Sequence, residues 1–121
     1  VQRLKPDGSF VKQYGSLGRN LGNLARPKGV AVDRESRIFI LDAAFENCQI
    51  FDDEGKLLLF FGAPGGEPGA MNMPSSVRID YGAVEFFRDR VIDGYDLDYV
   101  LFVTSQLGTK RVNVYGMLRK K

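Results

Sequence analysis

Histidine is absent from this chain of 121 residues, and cysteine occurs only once. Without an imidazole, these residues alone cannot form a Ser-His-Asp arrangement, a haem ligand of the usual kind or a histidine zinc site. The single Cys48 excludes an internal disulfide. Because free cysteines are among the most buried residues, we expect Cys48 to be a small core residue rather than a nucleophile.

Long apolar runs and a strong net charge are also missing. No run approaches the roughly 18 residues that a membrane span requires. The formal net charge is only +2, which gives little attraction to nucleic acid or to a membrane surface. The chain is 44% hydrophobic and 26% charged, a balance typical of globular proteins. We therefore expect a folded chain with no membrane span and no cofactor, and nucleic acid is not the expected partner.

The sequence resembles itself at a spacing of 47 residues. Sliding residues 1–33 onto 48–80 gives eight identities in 33 positions, whereas average composition would give about two. A repeat of this size is typical of one supersecondary unit stacked on its neighbour. The identical pairs are Gln2 with Gln49, Gly8 with Gly55, Gly15 with Gly62, Gly18 with Gly65, Gly22 with Gly69, Pro27 with Pro74, Val30 with Val77 and Asp33 with Asp80.

Each complete unit contains four short apolar runs separated by turns that are rich in Asp and Gly. In the one complete copy the runs are residues 30–32, 38–41, 48–51 and 57–61. This pattern predicts a four-stranded antiparallel meander. Runs that are apolar throughout indicate strands covered on both faces. The inner strands of a sandwich meet that condition, but the strict period favours the stacked blades of a β-propeller.

Several segments of the chain resemble the NHL repeat, a blade of six-bladed β-propellers. The last third is similar to the closing blade of bacterial NHL-repeat proteins. The Asn-His pair of the family would fall at Phe45-Glu46 and, in the last blade, at Thr109-Lys110, so no function of those two side chains is implied. The matching segments are residues 27–33, 38–42, 49–52, 54–55, 101–106 and 111–116.

The resemblance implies an all-β fold of tandem four-stranded antiparallel blades in an incomplete ring, with a short helical insertion in the last blade. Residues 1–24 are predicted to form a partial blade of two outer strands and an interblade loop. Residues 25–73 form a complete blade with its interblade loop, and residues 74–121 form a last blade that lacks its outer strand, with an insertion at 81–98. A closed propeller needs at least four blades. We therefore expect the partner of this segment to be the remaining blades of the same protein, further copies of the chain in a homo-oligomer, or a larger assembly.

The insertion carries most of the unusual residues. Val84, Phe87 and Val91 would share one face of a short helix, and we expect this face to cover the last blade. The alternative is a partner-binding role, in which Phe86, Tyr95 or Tyr99 would point outward and anchor another protein. Three carboxylates nearby could hold calcium in principle, but their spacing fits no EF-hand, so we predict a solvated loop and no metal site. They are Asp93, Asp96 and Asp98.

A second candidate surface is the propeller face where the loops between blades and those between the second and third strands gather. We predict recognition there, with an aromatic contact from Phe45 and polar contacts from flanking charged residues. No catalytic residue is assigned. The resemblance favours a non-catalytic scaffold or protein-interaction module outside the cytoplasm, in the periplasm or at the cell surface. A propeller lyase or hydrolase with its catalytic residues in other blades, and an RNA-binding propeller, remain open. The charged candidates are Arg26, Lys28, Glu46, Lys110 and Arg111.

Overall fold

The computed structural model describes all 121 residues, which form eleven β-strands and two short 3₁₀ helices. No helix in the chain combines the length and the apolar character that crossing a bilayer requires. The 3₁₀ helices are Gly82–Phe86 and Arg88–Arg90. The strands are β1 Gln2–Leu4, β2 Phe10–Gln13, β3 Ser16–Leu17, β4 Asn23–Leu24, β5 Pro27–Val32, β6 Ile38–Asp42, β7 Asn47–Phe51, β8 Leu57–Phe61, β9 Pro74–Asp80, β10 Tyr95–Ser105 and β11 Val112–Lys120.

The sheets are open and follow one another along the chain. The hairpin β1–β2, which we call the first blade, precedes a four-stranded sheet in the order β5-β6-β7-β8, the second blade. The third blade has three strands in the order β11-β10-β9. All pairings within these blades are antiparallel, and the short pair β3–β4 lies in the connection between the first two blades. The predicted all-β fold of tandem antiparallel blades is confirmed.

Strand β6 explains why the blades stack. Its side chains alternate between two faces of the sheet, and every residue from Ile38 to Asp42 is buried. Ile38 and Ile40 pack in a core with Tyr14 of the first blade, whereas Phe39 and Leu41 pack in a second core that includes residues of the third blade. The apolar run Ile38–Leu41 of this strand is therefore stable here only because a blade covers each of its faces.

The repeat also appears in the hydrogen bonds that fix each blade to its preceding connection. Gln49 of β7 donates from Nε2 to the carbonyl oxygen of Asn23 at 2.8 Å. Asn113 of β11 donates from Nδ2 to the carbonyl oxygen of Ala70 at 2.7 Å, and residues 23 and 70 are one repeat apart. A side-chain amide on the third strand thus holds the connection in both blades.

The insertion differs in detail from the predicted helix. Instead of one α-helix it contains two 3₁₀ helices, with the first turn started by Asp80, whose Oδ1 accepts hydrogen bonds from the backbone N–H groups of Gly82 and Ala83. Tyr95, which falls inside the predicted insertion 81–98, already belongs to β10 because it pairs with Lys120 of β11. Val84 is buried as expected.

Candidate functional site

The carboxylate of Asp42 organises the predicted loop face. It is completely buried and accepts four backbone hydrogen bonds. Its Oδ2 binds the N–H groups of Ala25 at 2.8 Å and Arg26 at 2.9 Å, and its Oδ1 binds those of Ala44 at 2.9 Å and Phe45 at 3.0 Å. The predicted residues Arg26 and Phe45 are therefore brought to the same edge of the second blade.

Glu46 has a structural contact on this face. Its backbone adopts φ 54°, and its Oε1 accepts a hydrogen bond from the backbone N–H of Met73 at 2.8 Å. Because Met73 immediately precedes β9, this bond joins the second blade to the third. Lys28 is exposed at the irregularity in β5 between Pro27 and Gly29, so its ammonium group stays accessible.

The other two cations of the loop face lie in the turn between β10 and β11, and only Lys110 reaches the connection between the second and third blades. Lys110 donates from Nζ to the carbonyl oxygen of Gly66 at 3.4 Å, and Arg111 donates from Nε to that of Gly108 at 3.3 Å. Both side chains are exposed. These weak contacts with carbonyl groups leave most of their donors facing water, as a polar recognition surface would require.

Phe86 and Tyr95 lie on a different part of the molecule. In β10, Leu101 and Val103 belong to the core shared with the second blade, so Val100 and Phe102 point to the opposite face. The insertion lies across this opposite face, where the ring of Phe87 packs edge-on against Phe102 with their centroids 6.3 Å apart. The candidate residues thus fall on two surfaces, the loop face and the outer face of the third blade.

An apolar groove of about 480 Å³ separates the insertion from β10 and β11. We call it the outer groove. Its rim is strongly exposed: Phe86 is 72% accessible, Ile92 63% and Val114 41%. Contiguous apolar exposure of this kind is typical of interaction surfaces. The sequence analysis did not predict that residues of β11 line a binding surface. Their alternation with Asn113 and Tyr115 is the signal that could have indicated an outward-facing set. The groove is lined by Phe86, Phe87, Arg90, Val91, Ile92, Leu97, Val100, Val114, Tyr115, Gly116 and Leu118.

The one cysteine and the carboxylates proposed as possible metal ligands have surroundings that point to structural roles. Burial raises the pKa of Cys48 to about 12, so its thiol is protonated and unreactive at neutral pH; the expectation of a buried core cysteine is confirmed. No group of three Asp, Glu, Cys or His side chains is arranged to hold a metal ion. Asp98 pairs with Arg119 at 3.1 Å and Asp96 lies 4.0 Å from the ammonium of Lys121.

A buried polar cluster joins the second and third blades at the end of the molecule opposite the loop face. The hydroxyl of Tyr99 donates to Oδ2 of Asp33 at 2.7 Å, and Arg37 donates from Nε to the same oxygen at 2.6 Å. Burial opposes ionisation of Asp33, but these hydrogen bonds outweigh it and hold the pKa of the carboxyl below its usual value. Burial and the adjacent Asp33 carboxylate raise the pKa of Tyr99. The hydrogen bonds of this cluster therefore connect the second blade to the third.

Comparison with known proteins gives a partial match. No family model matches the chain. A segment of 67 residues is 31% identical to the protein brain tumor of Drosophila melanogaster, an NHL-repeat protein. The chain is similar to part of an NHL-repeat protein. The matched segment makes up 55% of this chain and 6% of the brain tumor protein. Together with the open antiparallel sheets, this similarity fits a propeller-like repeat fold and a repeat interaction module.

Proposed function

We propose that this chain is a non-catalytic NHL-type propeller segment that serves as a scaffold or protein-interaction module, and that the outer groove is its contact surface. The observation that carries the proposal is a difference between two equivalent blade faces. Phe39 and Ile50 of the second blade are at most 1% exposed, because the third blade covers them. Their equivalents in the third blade are Phe102, which is half-buried, and Val114, which is 41% exposed.

The equivalence follows from the strand register. Val32 pairs with Ile38, and Ile79, one repeat later, pairs with Leu101. Phe39, which follows Ile38, is therefore equivalent to Phe102, which follows Leu101. Their partners on the neighbouring strands, Ile50 and Val114, are equivalent in the same way. The apolar side chains that are covered in the second blade are thus partly exposed in the third. This supports a binding surface, because covering exposed apolar area with a partner is energetically favourable.

The test is site-specific photo-crosslinking in the full-length protein. A photoreactive phenylalanine analogue replaces Phe86, and in a matched control it replaces Phe60, which is also exposed and lies on the outer strand of the second blade. We expect a discrete protein adduct from position 86 and none from position 60, and Phe86→Asp should weaken binding of the captured protein. Equal labelling at both positions, or adducts only with nucleic acid whose yield falls steeply with salt, would overturn the proposal.

The finer parts of the proposal are that the module is of the bacterial type and acts outside the cytoplasm. Both rest on the resemblance of residues 101–106 and 111–116 to the closing blade of bacterial NHL-repeat proteins. Cell fractionation followed by detection with an antibody against this chain tests the second part. We expect the protein in the periplasmic or surface fraction, and recovery with cytoplasmic markers alone would refute it.

A further inference from the structure

Acidic and basic side chains are distributed unevenly over the molecule. The loops of the loop face are residues 14–26, 43–46, 62–73 and 106–111, and they contain only two of the 15 acidic residues, Glu46 and Glu67. Glu46 is bound to a backbone N–H group, and Asp42, at the adjoining end of β6, is completely buried. The same loops carry four cations that form no ion pair, so the small net charge hides a loop face that is predominantly positive. The four cations are Arg19, Arg26, Lys110 and Arg111.

Two leucines project from the connection between the first and second blades, residues 14–26, which we call the first connection. Leu17 is 87% exposed and Leu21 is 60% exposed. Arg19 lies between them in the chain, and residues 8–32 contain no Asp or Glu. The segment from Leu17 to Leu21, which we call the leucine tip, therefore combines protruding aliphatic side chains with positive charge.

The exposure of these leucines belongs to the shape of the connection. The equivalent residues one repeat later are Pro64 and Pro68, in the connection between the second and third blades. Both prolines are exposed, although the structure contains the loops of the blades on either side of them. The protruding positions thus recur in both connections, but only the first connection places large, flexible aliphatic side chains there.

Hydrogen bonds hold the leucine tip in a fixed shape. Asn23 accepts from the backbone N–H of Asn20 with Oδ1 at 3.2 Å and donates from Nδ2 to Oγ of Ser16 at 3.1 Å, so its amide joins the two sides of the tip. Oε1 of Gln49 accepts from the N–H of Gly22 at 2.8 Å, which fixes the tip to the second blade. A tip that is ordered in advance loses little conformational freedom when it binds.

The side chains of the first connection distinguish between two kinds of anionic partner. Single-stranded nucleic acid is held by aromatic side chains that stack on its bases. The only aromatic residue of the first connection is Tyr14, which is 2% exposed, so it is not available for stacking. An anionic lipid surface instead attracts cations to its headgroups and accepts apolar side chains at the boundary of its acyl chains. The leucine tip supplies both kinds of group.

We propose that the leucine tip binds the surface of an anionic membrane. Leu17 and Leu21 enter the boundary between headgroups and acyl chains, while Arg19 and Arg26 contact the lipid phosphates. Each contribution is modest alone, and the two act together, as reversible attachment to a membrane surface requires. The leucine tip is separate from the outer groove, so the inference goes beyond the proposed function and either of the two can fail alone.

The test is flotation of the complete chain with vesicles made of equal parts of phosphatidylglycerol and phosphatidylcholine, compared with vesicles of phosphatidylcholine alone. We expect binding to the anionic vesicles. Leu17→Ser should weaken it about tenfold, because a leucine side chain no longer leaves water, and Arg19→Ser about fivefold. The matched controls Leu4→Ser and Lys5→Ser, beside the turn between β1 and β2 opposite the loop face, should bind as the wild type does. Leu4 is also strongly exposed, at 52%.

A fluorescent label shows whether the leucine tip enters the lipid. An environment-sensitive dye is attached through Leu17→Cys and, in a matched control, through Leu4→Cys. The native Cys48 is buried and its pKa is raised, so it does not take up the dye in the folded chain. On addition of anionic vesicles we expect a blue shift of the emission from position 17 and no change from position 4.

Three results would overturn the inference. They are no flotation with anionic vesicles up to about 1 mM lipid, unchanged binding of Leu17→Ser, and no spectral change at position 17. Urea unfolding of each variant checks the fold, and Leu17→Ala provides a milder change if Leu17→Ser does not fold. Binding to single-stranded RNA that falls steeply with salt, and that Arg19→Ser weakens but Leu17→Ser does not, would identify nucleic acid as the partner and likewise overturn the inference.

Discussion

Replacing Asp42 by asparagine should destabilise the chain far more than the same change at Asp52. Both aspartates accept backbone hydrogen bonds in turns, but they use their oxygens differently. Asp52 accepts from Glu54 and Lys56 with Oδ1 alone, at 3.0 and 2.8 Å, so an asparagine amide oxygen can take over both bonds. Asp42 uses both oxygens, with two N–H donors on each.

The size of the effect follows from the donors that Asp42→Asn leaves unpaired. Whichever way the amide is oriented, its NH₂ group faces two backbone N–H groups and cannot accept from them. An unsatisfied buried donor costs about 1–3 kcal/mol. We use the lower end, because Arg26 and Ala44 are exposed residues that water can reach. The expected loss is then about 2–3 kcal/mol, a large part of the stability of a small domain.

Urea unfolding of the wild type and of the two variants measures this difference. We expect a lower midpoint at unchanged slope for Asp42→Asn, and a change within about 0.5 kcal/mol for Asp52→Asn, as is usual for surface substitutions. Equal effects at the two positions would refute the reasoning from acceptor geometry. Asp42→Ser gives a further check of the number of bonds. Ser105 is the equivalent residue in the third blade, and its hydroxyl accepts only one backbone hydrogen bond, from the N–H of Asn72 at 3.2 Å.

Three more outcomes can be measured on the same chain. The pKa of Asp33 is lowered in the folded state. Its hydrogen bonds therefore stabilise the fold above the unfolded pKa of about 4, and this stabilisation is lost as the pH falls through the folded pKa. In urea titrations, the acid-induced loss of stability should be smaller in Tyr99→Phe than in the wild type. Cys48, with its pKa raised to about 12, should react with a thiol reagent at pH 8 only when urea unfolds the chain, and rapid labelling of the native state would contradict its burial. Phe87→Ala should lower stability by about 2 kcal/mol, roughly half the cost of a fully buried phenylalanine, whereas Phe86→Ala should change it little, and a larger effect of the exposed residue in thermal unfolding would contradict the capping role.

The strands of the complete blade could be predicted because their signal is local. The apolar runs at 38–41, 48–51 and 57–61 agree with β6, β7 and β8 to within one residue at each end. The first run was too short, since β5 begins at Pro27 and includes polar and small residues. A glycine fits best at position 29 of β5, because a Cβ there would lie only 3.2 Å from Cα of Ser76 in the neighbouring blade. The sequence pattern of apolar residues cannot reveal such a contact.

The functional surfaces were harder to predict because they depend on contacts between distant segments. The sequence places Glu46 in an exposed loop, and only its hydrogen bond to Met73 assigns it to a tie between blades. The insertion reads as a helix from the spacing of Val84, Phe87 and Val91, but local bonding at Asp80 favours tight turns instead. The outer groove forms only when the insertion folds back over β10 and β11, so its composition is not contiguous in the chain.

The insertion acts as a partial substitute for a following blade. Phe39 of the second blade meets Tyr99 of the third at 6.3 Å with an angle of 77° between the rings. The equivalent Phe102 meets Phe87 of the insertion at 6.3 Å and 68°. The insertion thus reproduces one interblade contact from within the chain. It leaves Val114 uncovered, and so the same segment that stabilises the last blade also borders the surface on which a partner would bind.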